Sequence, residues 1–284
     1  MHLQATASRA ATLLAKRPVL FGKVLLAKLR TTRRMPPLPV LKRIRGVVFE
    51  CDLGHYRGTA PMYFGSYALL VTEAMKRYLK PGDTFFDVGA NIGYLSAVAA
   101  GLVGTNGQVH SFEPVPAYFG RLERLVSMNP AHTIIANSCA AGETDGTCTI
   151  YVTREPGQNT MVTSYQSDFE ITSTLEVPVV RLDSYIRHHG IARIAMIKID
   201  AEGYEFPTLK GLQTQFEQSK DRPAIICEIA PRAYPLMGKK LSDLAAYMAE
   251  YGYTARDLID GITPVDLGSL EHVEDVLFLA EPGS

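Results

Sequence analysis

Short runs of apolar residues alternate along the chain with longer stretches of helical period. Thr84–Val88, Val109–Glu113, Thr133–Ala136, Ala195–Ile199 and Ala224–Glu228 are nearly continuous apolar segments of strand length. Between and around them, 69–79, 92–103, 116–128, 204–217 and 240–251 carry the spacing of amphipathic helices. Strands apolar on both faces, separated by helices, predict an open α/β fold with a mostly parallel sheet covered on both sides. The alternation breaks between 140 and 182. There Thr147–Thr153 and Leu175–Leu182 read as strands around a polar, turn-rich stretch, Arg154–Ser173. One crossover helix is therefore expected to be replaced by a β insertion. Val47–Glu50 reads as a further short strand, Gly54–Gly65 as a loop, and Thr254–Leu258 and Val276–Leu279 as the last strands.

The N-terminal segment differs. Residues 1–45 hold eleven Lys and Arg and no Asp or Glu, which leaves 18 basic and 29 acidic side chains in 46–284, a net of −11. The chain is thus expected to divide into a basic helical leader with a Pro-rich linker (1–45) and an acidic body (46–284). The leader reads as a helix from Pro18 to Arg34. Lys16, Lys23, Arg30 and Arg34 lie on one side and Phe21, Leu25, Leu26 and Leu29 roughly opposite, until Met35-Pro36-Pro37-Leu38-Pro39 stops it. Such a helix suits peripheral contact of residues 16–34 with an anionic inner membrane surface, docking on a partner, or cover for an apolar strip of its own domain. An acidic body argues against broad binding of nucleic-acid backbones. Cys51, Cys139, Cys148 and Cys227 are scattered without zinc-ligand spacing, so a reducing cytoplasm is the expected compartment.

The strongest local chemistry is Thr84-Phe85-Phe86-Asp87-Val88-Gly89-Ala90-Asn91-Ile92-Gly93-Tyr94. A buried strand ends in an acid and passes through a glycine turn into a helix, which lets a ligand approach the backbone at the carboxyl edge of the sheet. Glu113 closes the next strand, where a carboxylate takes ribose hydroxyls. A dinucleotide fingerprint would want glycine at position 90 and no acid facing a diphosphate. Asp87 instead suits a cation, and S-adenosylmethionine carries both an ammonium and a sulfonium. The predicted cofactor set is Asp87, Gly89, Ala90, Asn91, Gly93 and Glu113, with Asn137 and Ser138 at the adenine edge by analogy of fold. At the fourth strand, alternation puts Lys198 and Asp200 on one side, Glu202 follows, and Glu228 ends the next strand. Converging carboxylates beside a cationic methyl donor suit orientation and deprotonation of an alcohol. They would act directly or through a divalent ion such as Mg2+, for which Asp200 and Glu228 are the candidate ligands. Glu205 fits ordinary charge complementation at a helix start.

Taken together, Asp87-Val-Gly-Ala-Asn-Ile-Gly93, Ser111-Phe-Glu-Pro114, Arg181-Leu-Asp-Ser-Tyr185 and Ile197-Lys-Ile-Asp-Ala-Glu-Gly-Tyr-Glu205, with Leu209-Lys-Gly211, resemble the FkbM-type methyltransferase family in content and order over about residues 69–230. The resemblance implies a class I, Rossmann-like, S-adenosylmethionine-dependent fold and O-methylation of a hydroxyl on a sugar, glycolipid or secondary metabolite. It places the cofactor at Asp87, Gly89, Asn91, Gly93 and Glu113 and the acceptor edge at Lys198, Asp200 and Glu202. Asp183 falls in one of its motifs and also suits a cap on the helix that follows. Acceptor selection is expected from Cys51–Tyr67 and Arg154–Ser173. Two other classes stand beside this reading, a NAD-dependent oxidoreductase and a non-catalytic, membrane-attached cofactor-binding scaffold.

Overall fold

The structure is a computed structural model and describes residues 39–52, 59–65, 67–154, 159–162, 165, 170–219 and 221–280, with Leu14, Ala15, Pro18, Val19, Phe21 and Gly22 of the leader. The basic side chains of the predicted leader helix, and with them the membrane face expected at 16–34, lie outside these residues. Phe21 packs against Ile259 beside Leu69 and Leu70.

The body opens with a hairpin, β1 (Pro39–Ile44) and β2 (Val47–Asp52), paired antiparallel with Ile44 opposite Val47. Arg45 (φ 49) and Gly46 (φ 97) form its turn, since two left-handed residues match the twist of the flanking strands. Strand pairing therefore begins at Pro39, where the sequence suggested linker. Helices α1 (Ala60–Phe64) and α2 (Leu69–Tyr78) follow. Then come β3 (Thr84–Val88), α3 (Tyr94–Val103), β4 (Gln108–Phe112), α4 (Pro116–Met128) and β5 (Thr133–Asn137).

The insertion folds as a separate three-stranded sheet of β6 (Ala140–Gly142), β7 (Gly146–Thr153) and β8 (Ile171–Arg181), in the order β6-β8-β7. Helix α5 (Leu182–His188) follows it directly, so the crossover helix is shortened rather than replaced as the sequence suggested. Next are β9 (Met196–Ile199), α6 (Glu205–Lys210), α7 (Gln213–Gln218), β10 (Ala224–Ile229), α8 (Ala233–Leu236), α9 (Leu241–Glu250), β11 (Tyr253–Asp257) and β12 (Glu274–Ala280).

The predicted single helix 204–217 is split. A Cβ on Gly211 would stand 2.2 Å from the Gly142 carbonyl oxygen, so the end of β6 crosses the chain where the helix would have continued. Asp183 does not cap its own helix. Its carboxylate accepts from the Thr214 and Gln215 N–H groups at 2.9 and 3.0 Å, closing the start of α7, and pairs with Arg181 at 2.9 Å.

The main sheet runs β11-β12-β10-β9-β3-β4-β5, parallel except for β12, which is antiparallel to both its neighbours. Side chains alternate across it. Phe85, Val109, Met196, Ile226 and Leu277 enter one core with α3 and the β2 face Val47, Phe49 and Cys51. Phe86, Phe112, Ile197, Ile225 and Phe278 enter the other with Leu182, Phe206, Phe216 and Leu244. Strand order reverses between β3 and β9, which opens a crevice at their carboxyl ends.

Candidate active site

The crevice is a cavity of about 460 Å³, within the size range of cofactor and small-ligand sites. The turn after β3 forms its floor. Gly89 takes φ +76, and its N–H and that of Ala90 donate to the Phe112 carbonyl at 3.0 and 2.9 Å. A Cβ on Gly89 would stand 1.8 Å from the Asp200 carbonyl oxygen, so only glycine lets the two loops meet. Asn91 takes φ +52, and its N–H donates to Glu113 Oε2 at 2.8 Å, while Glu113 Oε1 accepts from the Val115 N–H at 2.8 Å. Glu113 is thereby locked at the end of β4, with lone pairs left for hydroxyl donors. Burial pushes its carboxyl up to about 7, against the pull of those two N–H bonds. Asp87 is buried and accepts from the Ser96 hydroxyl at 2.5 Å, and the Ser111 hydroxyl donates to Ser96 at 2.8 Å. Burial raises Asp87 to about 6 despite the Ser96 bond. Both carboxyls thus favour a partner that brings positive charge or hydroxyl donors.

Of the predicted cofactor residues, Asp87, Gly89, Ala90, Asn91 and Glu113 line the cavity. Gly93, Asn137 and Ser138 do not. Gly93 (φ +83) starts α3, and a Cβ there would press on Leu122 and Leu125. The Asn137 amide donates to the Ser111 and Ile135 carbonyls, and Ser138 is exposed.

On the far side, Asp200, Glu202 and Glu228 line the same cavity, with a carboxylate oxygen of each within 4.8 Å of the others. Lys198 lies beneath them rather than in the wall. It is 2% exposed, donates to the Ile199 carbonyl at 3.1 Å, and sits 3.6 Å from Asp200 and 3.2 Å from Asp275. Burial opposes its charge, but Asp200, Asp275 and Glu228 outweigh it and hold the ammonium well above its ordinary pKa. Burial, then the charge of Asp200, raises the Glu228 carboxyl well above the usual range. A divalent cation could use the three carboxylates, but the fixed ammonium of Lys198 already balances part of their charge.

Sequence reasoning missed Asp275 and the burial of Glu205. Asp275 enters because antiparallel β12 puts it opposite Glu228. Glu205 opens α6 as expected, yet it is fully buried and raised to about 7 by that burial; Oε1 accepts from the Gly203 N–H at 2.8 Å and Oε2 has no hydrogen bond among the described residues. Its place in the Asp200–Glu205 motif was the available signal. The expected acceptor walls contribute Tyr67, Asn159 and Tyr165. Tyr67 is held edge-on by Tyr94 at 5.4 Å, and Tyr94 by Phe49 at 5.6 Å. His55, Tyr56 and Gln158 of the same two segments lie outside the described residues.

A seven-stranded sheet in this order, a glycine turn at its switch point and acids ending the first two strands define a class I methyltransferase, the class that draws its methyl group from S-adenosylmethionine. The cradle fits that cofactor: Gly89 lets the turn that lines the cavity close against the Asp200 backbone, and Asp87 and Glu113 supply the acids. The chain belongs to the FkbM methyltransferase family, whose sequence profile, the Methyltransferase FkbM domain, matches residues 87–255, more than half of the chain.

It is 29% identical over 202 residues to the 31-O-demethyl-FK506 methyltransferase FkbM of Streptomyces tacrolimicus, covering 62% of this chain and 74% of that one. It is 24% identical over 152 residues to Methyltransferase 1 of Beauveria bassiana (strain ARSEF 2860), covering 48% and 61%. Among solved structures it is similar to a methyltransferase FkbM from Methylobacillus flagellatus KT (15% identity, TM-score 0.45, 95% of this chain and 60% of that one). It is also similar to Aeropyrum pernix fibrillarin with natively bound S-adenosyl-L-methionine (11% identity, TM-score 0.45, 87% and 85%). The dinucleotide and scaffold readings gain no support from the family match. No helix among the described residues is long and apolar enough to cross a membrane.

Proposed function

We propose that this methyltransferase acts on oxygen, transferring a methyl group to a hydroxyl of a sugar, glycolipid or other secondary metabolite. The observation that carries the reading is the wall of Asp200, Glu202 and Glu228 facing the cofactor cradle across one cavity. S-adenosylmethionine, when bound, supplies a sulfonium-activated methyl group and leaves as the neutral thioether. The protein's part is then to place an acceptor oxygen in line and to receive its proton as the C–O bond forms and the C–S bond breaks. A carboxylate of the Asp200–Glu228 pair takes that proton, and Lys198 beneath keeps the pair from repelling itself apart. The relative of Streptomyces tacrolimicus supports an oxygen acceptor, since its name specifies a 31-O-demethyl substrate.

The described lining residues include five carboxylates, Asp87, Glu113, Asp200, Glu202 and Glu228, and no Lys, Arg or His. A wall of acids with no cation offers a phosphate no partner, which favours small uncharged acceptors over nucleic acid. The test is calorimetry with S-adenosylmethionine and S-adenosylhomocysteine, then a screen of hydroxylated glycosides, polyketide alcohols and a short RNA, with and without EDTA. Methylation of a neutral alcohol that survives chelation supports the reading. Methylation confined to RNA or to nitrogen acceptors refutes it, and activity lost to EDTA and restored by Mg2+ would put an ion on the three carboxylates.

A further inference from the structure

The β insertion reaches back over the carboxyl edge of the main sheet, and residue 160 is where it is tied down. Thr160 is 2% exposed and pairs with Tyr151 in an isolated antiparallel bridge: the Tyr151 N–H donates to the Thr160 carbonyl at 2.9 Å and the Thr160 N–H to the Tyr151 carbonyl at 3.3 Å. Its hydroxyl accepts from the Val162 N–H at 3.0 Å and spends its single proton on the Glu202 carbonyl oxygen at 2.6 Å. The neighbours hold the strap in place. Val162 is buried with Ala230 and Ala233, and the Tyr165 ring lies 3.2 Å from where a Cβ on Gly203 would stand. Asn159 and Met161, on either side of Thr160, line the cavity.

The other partner of the bond is a strained turn. Glu202 takes φ +49 and Gly203 φ +99. Glycine adopts such angles freely, but glutamate holds them only where its surroundings fix the peptide. The orientation of the 202–203 peptide sets where the Glu202 Cα–Cβ bond points, and the Glu202 carboxylate lies within 4.8 Å of those of Asp200 and Glu228.

We propose that Thr160 is a positioning residue for methyl transfer: its hydroxyl, through the Glu202 carbonyl, holds the Glu202 turn in the conformation that aims the Glu202 carboxylate at the acceptor. The inference rests on reading the carboxylate wall as the acceptor side. It makes the segment that presents Asn159 and Met161 to an acceptor also the one that sets the reaction geometry, so the two come into place together.

The experiment compares the full chain with Thr160→Val, Thr160→Ser, Glu202→Gln and the Thr160→Val/Glu202→Gln double variant. Valine keeps the shape and removes the hydroxyl. Small displacements of positioned groups cost from about tenfold to a hundredfold in rate, so Thr160→Val is expected to lose at least about tenfold in kcat. Its calorimetric affinity for S-adenosylmethionine should stay within twofold of wild type, and Thr160→Ser should recover the rate. Because Thr160 acts through Glu202, the double variant is expected to be no slower than Glu202→Gln alone. Losses that multiply in the double variant, or a Thr160→Val variant that turns over within twofold of wild type, would overturn the proposal. If Thr160→Val fails to fold, Thr160→Ala is put through the same comparison. Should the wild type methylate no hydroxyl at all, the functional reading falls, and a crystal structure of Thr160→Val decides the positioning role by itself. Glu202 leaving the left-handed region supports it, and Glu202 unchanged overturns it.

Discussion

Replacing Gly89 by alanine isolates the contact on which the cavity depends. The backbone there has φ +76, which costs an alanine about 1–2 kcal/mol. The larger effect is steric. The new methyl would stand 1.8 Å from the Asp200 carbonyl oxygen, and a backbone oxygen at the end of a central strand cannot swing aside as a side-chain tip can. It would have to retreat by more than an ångström, straining the bond from the Asp200 N–H to the Val88 carbonyl (3.0 Å) that joins β9 to β3. Overpacking of this kind costs about 1–3 kcal/mol, giving a total of about 2–5 kcal/mol and a fall in Tm of roughly 5–15 °C at this chain length. Gly190→Ala is the control. Its φ is +61 with no described atom within 4 Å of the added carbon, so it should show the backbone cost alone, a few degrees. Differential scanning calorimetry measures both, and titration calorimetry should show that Gly89→Ala also loses S-adenosylmethionine binding by at least tenfold while Gly190→Ala keeps it. A Gly89→Ala protein that melts with Gly190→Ala and binds cofactor normally would refute the claim that Gly89 is set by the Asp200 approach.

Three further outcomes follow from the same geometry. Burial raises Asp87 to about 6 and Glu113 and Glu205 to about 7, so the folded chain holds protons that the unfolded chain has released near pH 4. The stability these groups provide is present below about pH 4 and lost as pH rises towards 7. A bound cation favours the ionised forms of Asp87 and Glu113, so the rise in Tm given by S-adenosylmethionine should grow from pH 5 to pH 8, and a constant rise would contradict their role. Lys198→Met should destabilise by about 1–3 kcal/mol in denaturant melts, below the cost of breaking a fully buried pair because Asp200 and Asp275 keep partial exposure. It should also move the acidic limb of the kcat/KM profile to higher pH, since Glu228 loses the cation that favours its ionised form; an unmoved limb would exclude Lys198 from setting that ionisation. Asp183→Ala, which frees two N–H groups at the start of α7, should cost about 1–3 kcal/mol in Tm-based stability with cofactor affinity unchanged, and a selective loss of affinity would show that Asp183 belongs to the site after all.

The residues whose placement was legible one by one share a property: their position is set within a few residues of the chain. The Asp87–Gly93 turn is a strand end, two glycines and a helix start in one continuous segment, and Glu113 ends the next strand. What could not be read depends on pairings between distant segments. Gly93 looks like Gly89 in sequence, yet one meets Leu122 and Leu125 and the other the Asp200 backbone. Glu205 has the pattern of an exposed first-turn acid and is fully buried because α6 packs between the two sheets' connections, against β6 and β10. Asp183 sits at the start of one helix and closes another some thirty residues on.

Sequence alone therefore determined the class of fold, the glycine turn at the end of its first central strand and most of the acids that line the cavity, because hydrophobic period and short motifs are properties of neighbouring residues. Only the tertiary structure decided which acids share a cavity, that Lys198 lies under them with Asp275 beside it, and that an inserted sheet is tied to the Glu202 turn. Those arrangements follow from strand order, from the antiparallel insertion of β12 and from close backbone crossings, and such long-range packing leaves no periodic trace along the chain.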